Sequence, residues 1–425
     1  MSRWTILTYY FHSWFSESVT FRIFIVFKRE KLRINLCFRH VTGNLRWENS
    51  RKQSPMKIAV VLNTSWNIYN FRMSLVRALI SEGHEVHTIA PKDDFTSILQ
   101  EEGCIHHNIK MDSRGANPIK DSALIAELFF IYRRVRPDII LHYTIKPNIY
   151  GTLAAAMLKI PVINNVCGLG TVFLKDNLVS AVAIWLYKIS FRFANKVFFQ
   201  NPDDLKLFVD KKMVRAEAVD LVPGSGIDLN KFQSVPFRRN EIFTFLLISR
   251  LITDKGVLDY IEAVKSLQRE GFKARFQVLG AMDPEHKRGI GVNIIREWID
   301  NHVIEYLGTT RDVRKFIHDA DCIVLPSYRE GTPRTLLEAA SSGKPIIATN
   351  VAGCNHVVVN QYNGFLCRMK DAADLASKMR QLAACEDEEL ASFGRNGRLK
   401  MEAEYDENLV INKYLRALDA FREAS

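Results

Sequence analysis

From residue 56 onward, short apolar runs that predict strands alternate with segments of helical periodicity. The first run is residues 57–62 (KIAVVL), and apolar residues then follow helical spacing up to Gly83. Further strands are predicted near residues 85–89, 105–109, 139–143, 162–166 and 196–200, with helices near 121–135, 148–158 and 178–194. Regular alternation of strand and helix is typical of parallel sheets covered on both faces. The sequence therefore predicts an α/β protein.

A second series of the same kind begins at residues 243–248 and runs to about residue 401. Between the two series lies the segment 223–228 (PGSGID), whose glycines favour a turn between domains. A chain of 425 residues is long enough for two domains, each with its own core. We predict Rossmann-like domains over residues 56–224 and 225–403, and a closing amphipathic helix over residues 404–425.

The first 55 residues differ from the rest in composition. They contain ten Lys or Arg and three Glu, a charge of +7, which leaves +4 of the net +11 for the other 370 residues. Our hypothesis is that Met56 is the physiological start and that residues 1–55 are untranslated or disordered. The alternative is a basic extension that contacts a membrane surface. No nucleic-acid-binding signature accompanies the basic charge, so no nucleic-acid partner is predicted.

The cysteines and the hydropathy of the chain indicate its cellular environment. The seven cysteines show neither Cys-x-x-Cys nor metal-ligand spacing, which favours buried thiols in a reducing compartment. No run of eighteen or more apolar residues is present, so no membrane span is expected. The long apolar helix near residues 178–194 carries a stripe that we interpret as core: Val182, Trp185, Leu186, Ile189 and Phe193. Contact with lipid is the alternative for that stripe.

Residues 330–338 (EGTPRTLLE) place two carboxylates eight positions apart around a predicted helix start. Thr332 is predicted as the N-cap, with Pro333 at the first helical position and Thr335 at the third. The backbone N–H groups of Gly331 to Thr335 and the helix dipole would favour a phosphate there.

Glu330 precedes this anion site and Glu338 follows it. One carboxylate can hold sugar hydroxyls on one side of a diphosphate, and the other can hold a ribose. The pattern thus predicts a nucleotide-sugar site, and two solvated surface charges are the alternative.

Two basic residues follow the strand at 243–248, within residues 249–256 (SRLITDKG). Arg250 offers a planar fork of donors, and Lys255 offers a compact point charge. Together they can neutralise a departing diphosphate without a metal ion. The alternative is a pair of surface residues that cap a loop.

In combination these motifs resemble the retaining glycosyltransferases of family four. Further motifs of that family follow in order over residues 307–308 (LG), 320–327 (ADCIVLPS), 343–349 (GKPIIAT), Gly353 and 363–365 (NGF). The resemblance extends from about Met56 to the C-terminus. It implies two facing Rossmann-like domains of the GT-B type with a deep interdomain cleft, the N-terminal domain binding the acceptor and the C-terminal domain the nucleotide sugar.

The resemblance also implies roles for the site residues. Glu330 is expected near the reacting carbon of the donor sugar, where it positions and stabilises charge, and Glu338 is expected on the ribose. Arg250 and Lys255 are expected on the diphosphate. No Asp-x-Asp triplet stands where a bound Mg²⁺ would be needed. We therefore expect no metal and no cofactor, with a UDP-sugar as the donor substrate.

The N-terminal half narrows the resemblance. Residues 67–72 (NIYNFR), 146–151 (KPNIYG) and 168–170 (GLG) are similar to bacterial enzymes that extend undecaprenyl-diphosphate-linked sugars. Many members carry a histidine immediately before the residue matching Lys146, where this chain has Ile145. His142 is interpreted as structural, and Lys146 is a candidate contact of an acceptor phosphate.

The leading hypothesis is therefore a transferase of a hexose or N-acetylhexosamine to a lipid-diphosphate-linked sugar, in polysaccharide, O-antigen or capsule synthesis. It would act in the cytoplasm, peripherally on the inner face of the cell membrane. The alternatives are a sugar-nucleotide epimerase of similar architecture and a non-catalytic nucleotide-sugar-binding partner. The sequence leaves the donor sugar, acceptor, linkage and oligomeric state open.

Overall fold

The structure, a computed structural model, describes residues 6–11, 19–28, 31–40, 54–112, 117–169 and 178–424. The chain divides into two compact units, Met1–Ser54 and Pro55–Ser425. In the first unit, β1 (Ile6–Phe11), β2 (Val19–Lys28) and β3 (Lys31–His40) pair antiparallel in that order. Sequence patterns did not predict this sheet. The hypothesis on the physiological start stays a prediction.

The second unit begins with a parallel seven-stranded sheet of order β10-β9-β8-β7-β4-β5-β6. Its strands are β4 (Lys57–Val61), β5 (Glu85–Ala90), β6 (Ile105–Asn108), β7 (Ile139–Tyr143), β8 (Val162–Val166), β9 (Lys196–Phe199) and β10 (Val219–Leu221). The strand order reverses between β4 and β7, and crevices at such switch points bind ligands in open α/β sheets.

Six described helices accompany this sheet. They are α1 (Ser65–Ser81), α2 (Thr96–Glu101), α3 (Pro118–Val135), α4 (Thr152–Met157), α5 (Leu178–Ser190) and α6 (Pro202–Asp210). A π-helical turn, Pro147–Gly151, leads into α4. Helix α1 begins directly after β4 because the Thr64 side chain accepts a hydrogen bond from the Asn67 N–H at 3.0 Å.

The rest of the second unit contains a parallel six-stranded sheet of order β13-β12-β11-β14-β15-β16. Its strands are β11 (Thr244–Ile248), β12 (Arg275–Leu279), β13 (Glu305–Tyr306), β14 (Cys322–Leu325), β15 (Ile346–Thr349) and β16 (Gly364–Cys367). The helices of this part are α7 (Val257–Arg269), α8 (Val292–Asp300), α9 (Arg314–Asp319), α10 (Arg334–Ser341), α11 (Cys354–Val357), α12 (Ala372–Ala383) and α13 (Asp387–Lys400).

The last helix, α14 (Glu407–Ala424), follows a π-helical turn at Met401–Tyr405 and returns to the first sheet. Val410, Tyr414 and Leu418 are buried in the same cluster as the apolar residues of β4 and α1. The Tyr414 hydroxyl accepts a hydrogen bond from the Asn165 amide at 2.8 Å. This packing ties the C-terminus to the N-terminal sheet.

The interpretation of the α5 stripe as core is wrong for three of its residues. Val182, Trp185 and Phe193 are 47%, 59% and 53% exposed. The segment instead buries Tyr187 and Phe191, whose rings meet edge to face with centroids 5.0 Å apart. Periodicity shows that a helix has an apolar face, but it does not show which side a neighbouring element covers.

Candidate functional site

A cleft between the two halves of the second unit is divided into two connected compartments. One has a volume of about 660 Å³ and contains Glu338; we call it the Glu338 compartment. The other has a volume of about 800 Å³ and contains Glu330; we call it the Glu330 compartment. Both are lined by Trp66, Phe71, Ser225, Ile248, Ser249, Arg250, Arg334 and Thr335.

Arg250 and Lys255 come from the loop between β11 and α7. Gly256 ends this loop with φ of +69°, and an added Cβ would lie 1.9 Å from the carbonyl oxygen of Pro326. Only glycine fits so close an approach of two backbones. The contact holds Lys255 beside the segment after β14, while exposed Arg250 lies where the compartments meet.

Lys255 and Glu330 form an ion pair, although 75 positions separate them in sequence. Their side chains are 23% and 12% exposed, so water screens the pair only in part. The Glu330 N–H donates to the carbonyl of Ala352 at 3.2 Å, which fixes the backbone of the loop. Two residues predicted for different parts of the donor thus lie in direct contact.

Glu338 lies one turn after Arg334 on α10, and the Nε of Arg334 donates to its carboxylate at 2.9 Å. The Glu338 side chain is 12% exposed. Burial raises the pKa of Glu338 above its ordinary value, and the nearby Arg334 charge opposes that shift. Arg334 also donates to the carbonyl of Asn70 at 2.9 Å, so it links the two halves.

The predicted start of α10 is wrong by one position. The helix begins at Arg334, the N-cap position is Pro333 with an extended ψ of 115°, and no side chain caps it. Thr332 instead donates its hydroxyl proton to the carbonyl of Gln200 at 2.9 Å. The interdomain contact, which local sequence does not encode, therefore determines the conformation of Thr332. Thr335 stands at the second helical position.

The loop before α10 lies against the N-terminal half. The Asn201 amide donates to the Gly331 carbonyl at 3.0 Å. A Cβ added at Gly331 would lie 2.1 Å from the carbonyl oxygen of Cys167. These contacts bring the first turn of α10 to the cleft, where its unsatisfied N–H groups can face an anion.

On the N-terminal side the predicted residues do not all reach the cleft. The Lys146 Nζ lies 2.8 Å from a carboxylate oxygen of Asp121. Lys146 is not among the described residues that line either compartment. His142 is fully buried, 2.8 Å from the Tyr132 hydroxyl and 3.0 Å from the Asn164 side-chain oxygen. Burial lowers its pKa to about 3, which agrees with a structural histidine.

Several lining residues were not predicted. Arg72, Thr144 and Cys167 line the Glu330 compartment from the N-terminal side, and His286 lines it from the C-terminal side. Arg72 ends the segment 67–72 that carries the family resemblance, but that resemblance gave it no role. The spacing of Arg334 and Glu338, four positions apart, was the one local signal that could have revealed their pair.

Among the described residues, no group of three or more His, Cys, Asp or Glu could hold a metal ion. No helix in the described ranges is long and apolar enough to cross a membrane.

Sequence comparison places two family profiles on the chain. The profile described as glycosyl transferases group 1 matches residues 230–400, and the profile described as glycosyl transferase 4-like matches residues 57–201. These ranges contain the six-stranded and seven-stranded sheets, respectively, apart from β10.

Two curated relatives are bacterial transferases. The N,N'-diacetylbacillosaminyl-diphospho-undecaprenol alpha-1,3-N-acetylgalactosaminyltransferase of Campylobacter jejuni is 30% identical over 86% of this chain and 98% of its own length. The UDP-Gal:alpha-D-GlcNAc-diphosphoundecaprenol alpha-1,3-galactosyltransferase of Escherichia coli is 26% identical over 68% of this chain and 76% of its own.

Solved structures confirm the predicted GT-B fold. The Anabaena protein HepE in complex with UDP and glucose superposes with a TM-score of 0.71, at 18% identity over 86% of this chain and 99% of that one. A glycosyltransferase from Rickettsia africae gives the same TM-score at 18% identity, over 88% of this chain and 100% of its own.

Proposed function

The chain belongs to the glycosyl transferases of group 1, and from that membership we propose that it transfers a hexose or N-acetylhexosamine from a UDP-sugar to a lipid-diphosphate-linked sugar. The proposed reaction retains the anomeric configuration, as the resemblance to family four implies. Synthesis of a surface polysaccharide or related glycan is the process in which we expect it to act.

One observation carries the donor side of this proposal. Glu338 and Glu330 lie in separate, connected compartments of one cleft, and Arg250 and Thr335 line both compartments. A nucleotide sugar has the same order of groups, with hydroxyls on the ribose, a diphosphate, and hydroxyls on the sugar. We place the ribose at Glu338, the diphosphate at Arg250 and the first turn of α10, and the sugar at Glu330.

Breaking the bond between the sugar and the β-phosphate leaves negative charge on the departing UDP. Arg250, Lys255 and the backbone N–H groups in the segment from Gly331 to Thr335, where Pro333 has none, are the groups we assign to that charge. They would have the role that a divalent cation has in other transferases. Glu330 would position the sugar and stabilise positive charge at its anomeric carbon. Its partner Lys255 would hold the Glu330 carboxylate in place.

The lipid-linked acceptor is proposed from the relatives. The Campylobacter and Escherichia proteins are both named for acceptors that carry a sugar on undecaprenyl diphosphate. This chain spans 98% of the former protein and 76% of the latter. The N-terminal wall of the Glu330 compartment is the part of the cleft left for such an acceptor.

An exposed surface on the N-terminal half supports peripheral contact with the membrane. Apolar side chains of α3, α4, α5 and the turn after α5 are exposed there, and we refer to these six together as the apolar patch: Ile119, Phe130, Met157, Val182, Trp185 and Phe193. Exposed basic residues occur along the same segments: Lys120, Arg133, Arg134, Lys159, Lys188 and Arg192. Apolar insertion combined with basic charge suits an anionic bilayer surface.

We place this contact on the cytoplasmic face of the cell membrane. Among the described residues, Cys104, Cys167, Cys322, Cys354, Cys367 and Cys385 are all free thiols, which fits a reducing compartment.

The test is transfer by the full chain from a panel of UDP-sugars, with and without a lipid-diphosphate-sugar acceptor. We expect UDP release and a lengthened acceptor only when one donor and the lipid acceptor are both present, with activity unchanged by EDTA. A UDP-sugar isomer formed without acceptor would identify an epimerase instead. Loss of activity in EDTA that Mg²⁺ restores would refute the assignment of the diphosphate to Arg250 and Lys255 alone.

A further inference from the structure

Arg72, on α1, is a buried cation in the wall of the Glu330 compartment. Arg72 is only 5% exposed, and it lines that compartment. One terminal nitrogen donates to the Cys167 sulfur at 3.4 Å, and the guanidinium carbon lies 4.3 Å from the centroid of the Tyr143 ring. Among the described residues no carboxylate pairs with Arg72, and its Nε has no hydrogen-bond partner.

A buried charge without a counter-ion is unfavourable, because the protein interior does not replace the water that the charge has lost. A thiol and an aromatic ring compensate a guanidinium only in part. An anion bound in the Glu330 compartment would supply both the missing charge and an acceptor for Nε–H.

Thr144 provides a second, independent observation on the same wall. Its hydroxyl oxygen is buried without a hydrogen-bond partner, and the residue lines the Glu330 compartment. Its φ of +66° lies in the left-handed region, which β-branched residues seldom adopt. A phosphate oxygen could accept the proton of this hydroxyl as well as one from Arg72.

We propose that Arg72 and Thr144 form a subsite for a phosphate group of the acceptor. This inference rests on the proposed function. It adds the two side chains of the N-terminal wall that would bind the acceptor phosphate. The donor diphosphate has its own groups across the cleft, Arg250, Lys255 and the start of α10. Arg72 belongs to the opposite half, where the acceptor must enter.

The chemistry of the acceptor suits this arrangement. The reacting hydroxyl of the acceptor sugar must lie at the donor sugar, beside Glu330. The diphosphate is attached to another carbon of that acceptor sugar. Arg72 and Glu330 line one compartment of about 800 Å³, which can contain a sugar ring and an adjoining phosphate. A guanidinium offers a planar set of donors that matches phosphate oxygens better than an ammonium does.

The first test compares two acceptors that differ only in the anion, a lipid-diphosphate sugar and the same sugar as a neutral alkyl glycoside. For Arg72→Met we expect KM for the diphosphate acceptor to rise at least about tenfold, with KM for the glycoside and Kd for UDP unchanged. Arg72→Lys should recover part of the loss. Thr144→Val, which removes the hydroxyl at equal size, should raise the same KM by about threefold.

Arg269→Met is the matched control, since Arg269 is an exposed arginine of α7 that lines neither compartment. A weaker Kd for UDP in Arg72→Met would assign Arg72 to the donor phosphates and overturn the proposal. An equal rise of KM for both acceptors, or a matching loss of thermal stability, would show that Arg72 has only a structural role.

A second test does not depend on turnover. Calorimetry with inorganic pyrophosphate on protein saturated with UDP should show one site in the wild type that Arg72→Met weakens at least about tenfold. Absence of that site in the wild type, or equal binding by the variant, would refute the subsite. If the site is present but the wild type transfers nothing to the lipid acceptor, the acceptor in the proposed function is wrong and the anion subsite stands.

Discussion

The Nε of Arg334 lies 2.9 Å from the carboxylate of Glu338, one helical turn further along α10. The same guanidinium donates to the carbonyl of Asn70, in the N-terminal half, at 2.9 Å. The residue that orients the proposed ribose ligand therefore also bridges the cleft. We therefore expect nucleotide binding and the relative position of the two halves to be coupled through Arg334.

The first prediction concerns pH. Burial raises the pKa of Glu338 above the ordinary 4.5, and ribose hydroxyls donate to the ionised carboxylate. Protonation removes that acceptor, so affinity for a UDP-sugar should fall as pH decreases through this raised pKa. The loss should begin at a higher pH than for an ordinary glutamate. Calorimetric titration at a series of pH values measures it.

Glu407 also lines the Glu338 compartment, and burial raises its pKa as well. The contribution of Glu338 is therefore the difference between the wild type and Glu338→Gln in how the affinity for the UDP-sugar changes with pH. We expect this variant to bind about tenfold more weakly at neutral pH, the loss of roughly one charge-assisted hydrogen bond. Its remaining pH dependence should be shallower, and identical profiles would contradict the ribose assignment.

The second prediction concerns the pair of Lys255 and Glu330. Each of Lys255→Met and Glu330→Gln should lower kcat by about 10²–10³, because each removes preorganised charge from the reacting centre. Since the two side chains are in contact, the double variant should lose far less than the product of the two factors. Strictly multiplicative losses would show that the ion pair does not persist during the reaction.

The third prediction tests the contact between the halves at the loop before α10. A methyl group at Gly331 would lie 2.1 Å from the Cys167 carbonyl, so Gly331→Ala must displace the loop. We expect a loss of about 1–3 kcal/mol in the free energy of unfolding and at least a tenfold fall in kcat/KM. Gly291→Ala is the control, because its added methyl meets only the end of the Ile294 side chain at 3.8 Å. Similar effects of both variants would contradict the close approach of the loop to the Cys167 carbonyl.

The fourth prediction concerns the apolar patch. Replacing Phe130 and Trp185 by serine should reduce sedimentation with anionic phospholipid vesicles by about tenfold, since two exposed aromatic side chains would no longer enter the interface. Transfer to a short, water-soluble acceptor should be unchanged. Leu399→Ser is the control, because Leu399 is 56% exposed but lies on α13. Undiminished vesicle binding by the double variant would place the membrane contact elsewhere.

Much of the fold could be predicted because buried parallel strands are short apolar runs. Residues 139–143 were predicted as a strand and form β7 with the same bounds, and residues 243–248 contain β11. The division into domains at residues 224 and 225 stays a prediction. Local patterns failed where another part of the chain determines the conformation, as for Thr332, which contacts Gln200.

Four of the predicted site residues, Glu330, Glu338, Arg250 and Thr335, line the cleft, whereas Lys146 lines neither compartment. The roles assigned to these residues stay predictions. The pairing of Glu330 with Lys255 could not be inferred, since nothing local links residues 75 positions apart. Arg72 could not be recognised either, because a missing counter-ion is a property of the folded surroundings and not of the sequence.

The most direct test of the two-compartment cleft is to measure the binding of UDP and of the active UDP-sugar to Glu338→Gln and Glu330→Gln by calorimetry. We predict that Glu338→Gln weakens both ligands equally. Glu330→Gln should leave UDP affinity unchanged and weaken only the UDP-sugar, with transfer slowed by about 10²–10³. If Glu330→Gln weakened UDP itself, or Glu338→Gln affected only the UDP-sugar, the donor would lie in the cleft in another orientation and the proposed assignment of the two carboxylates would be wrong.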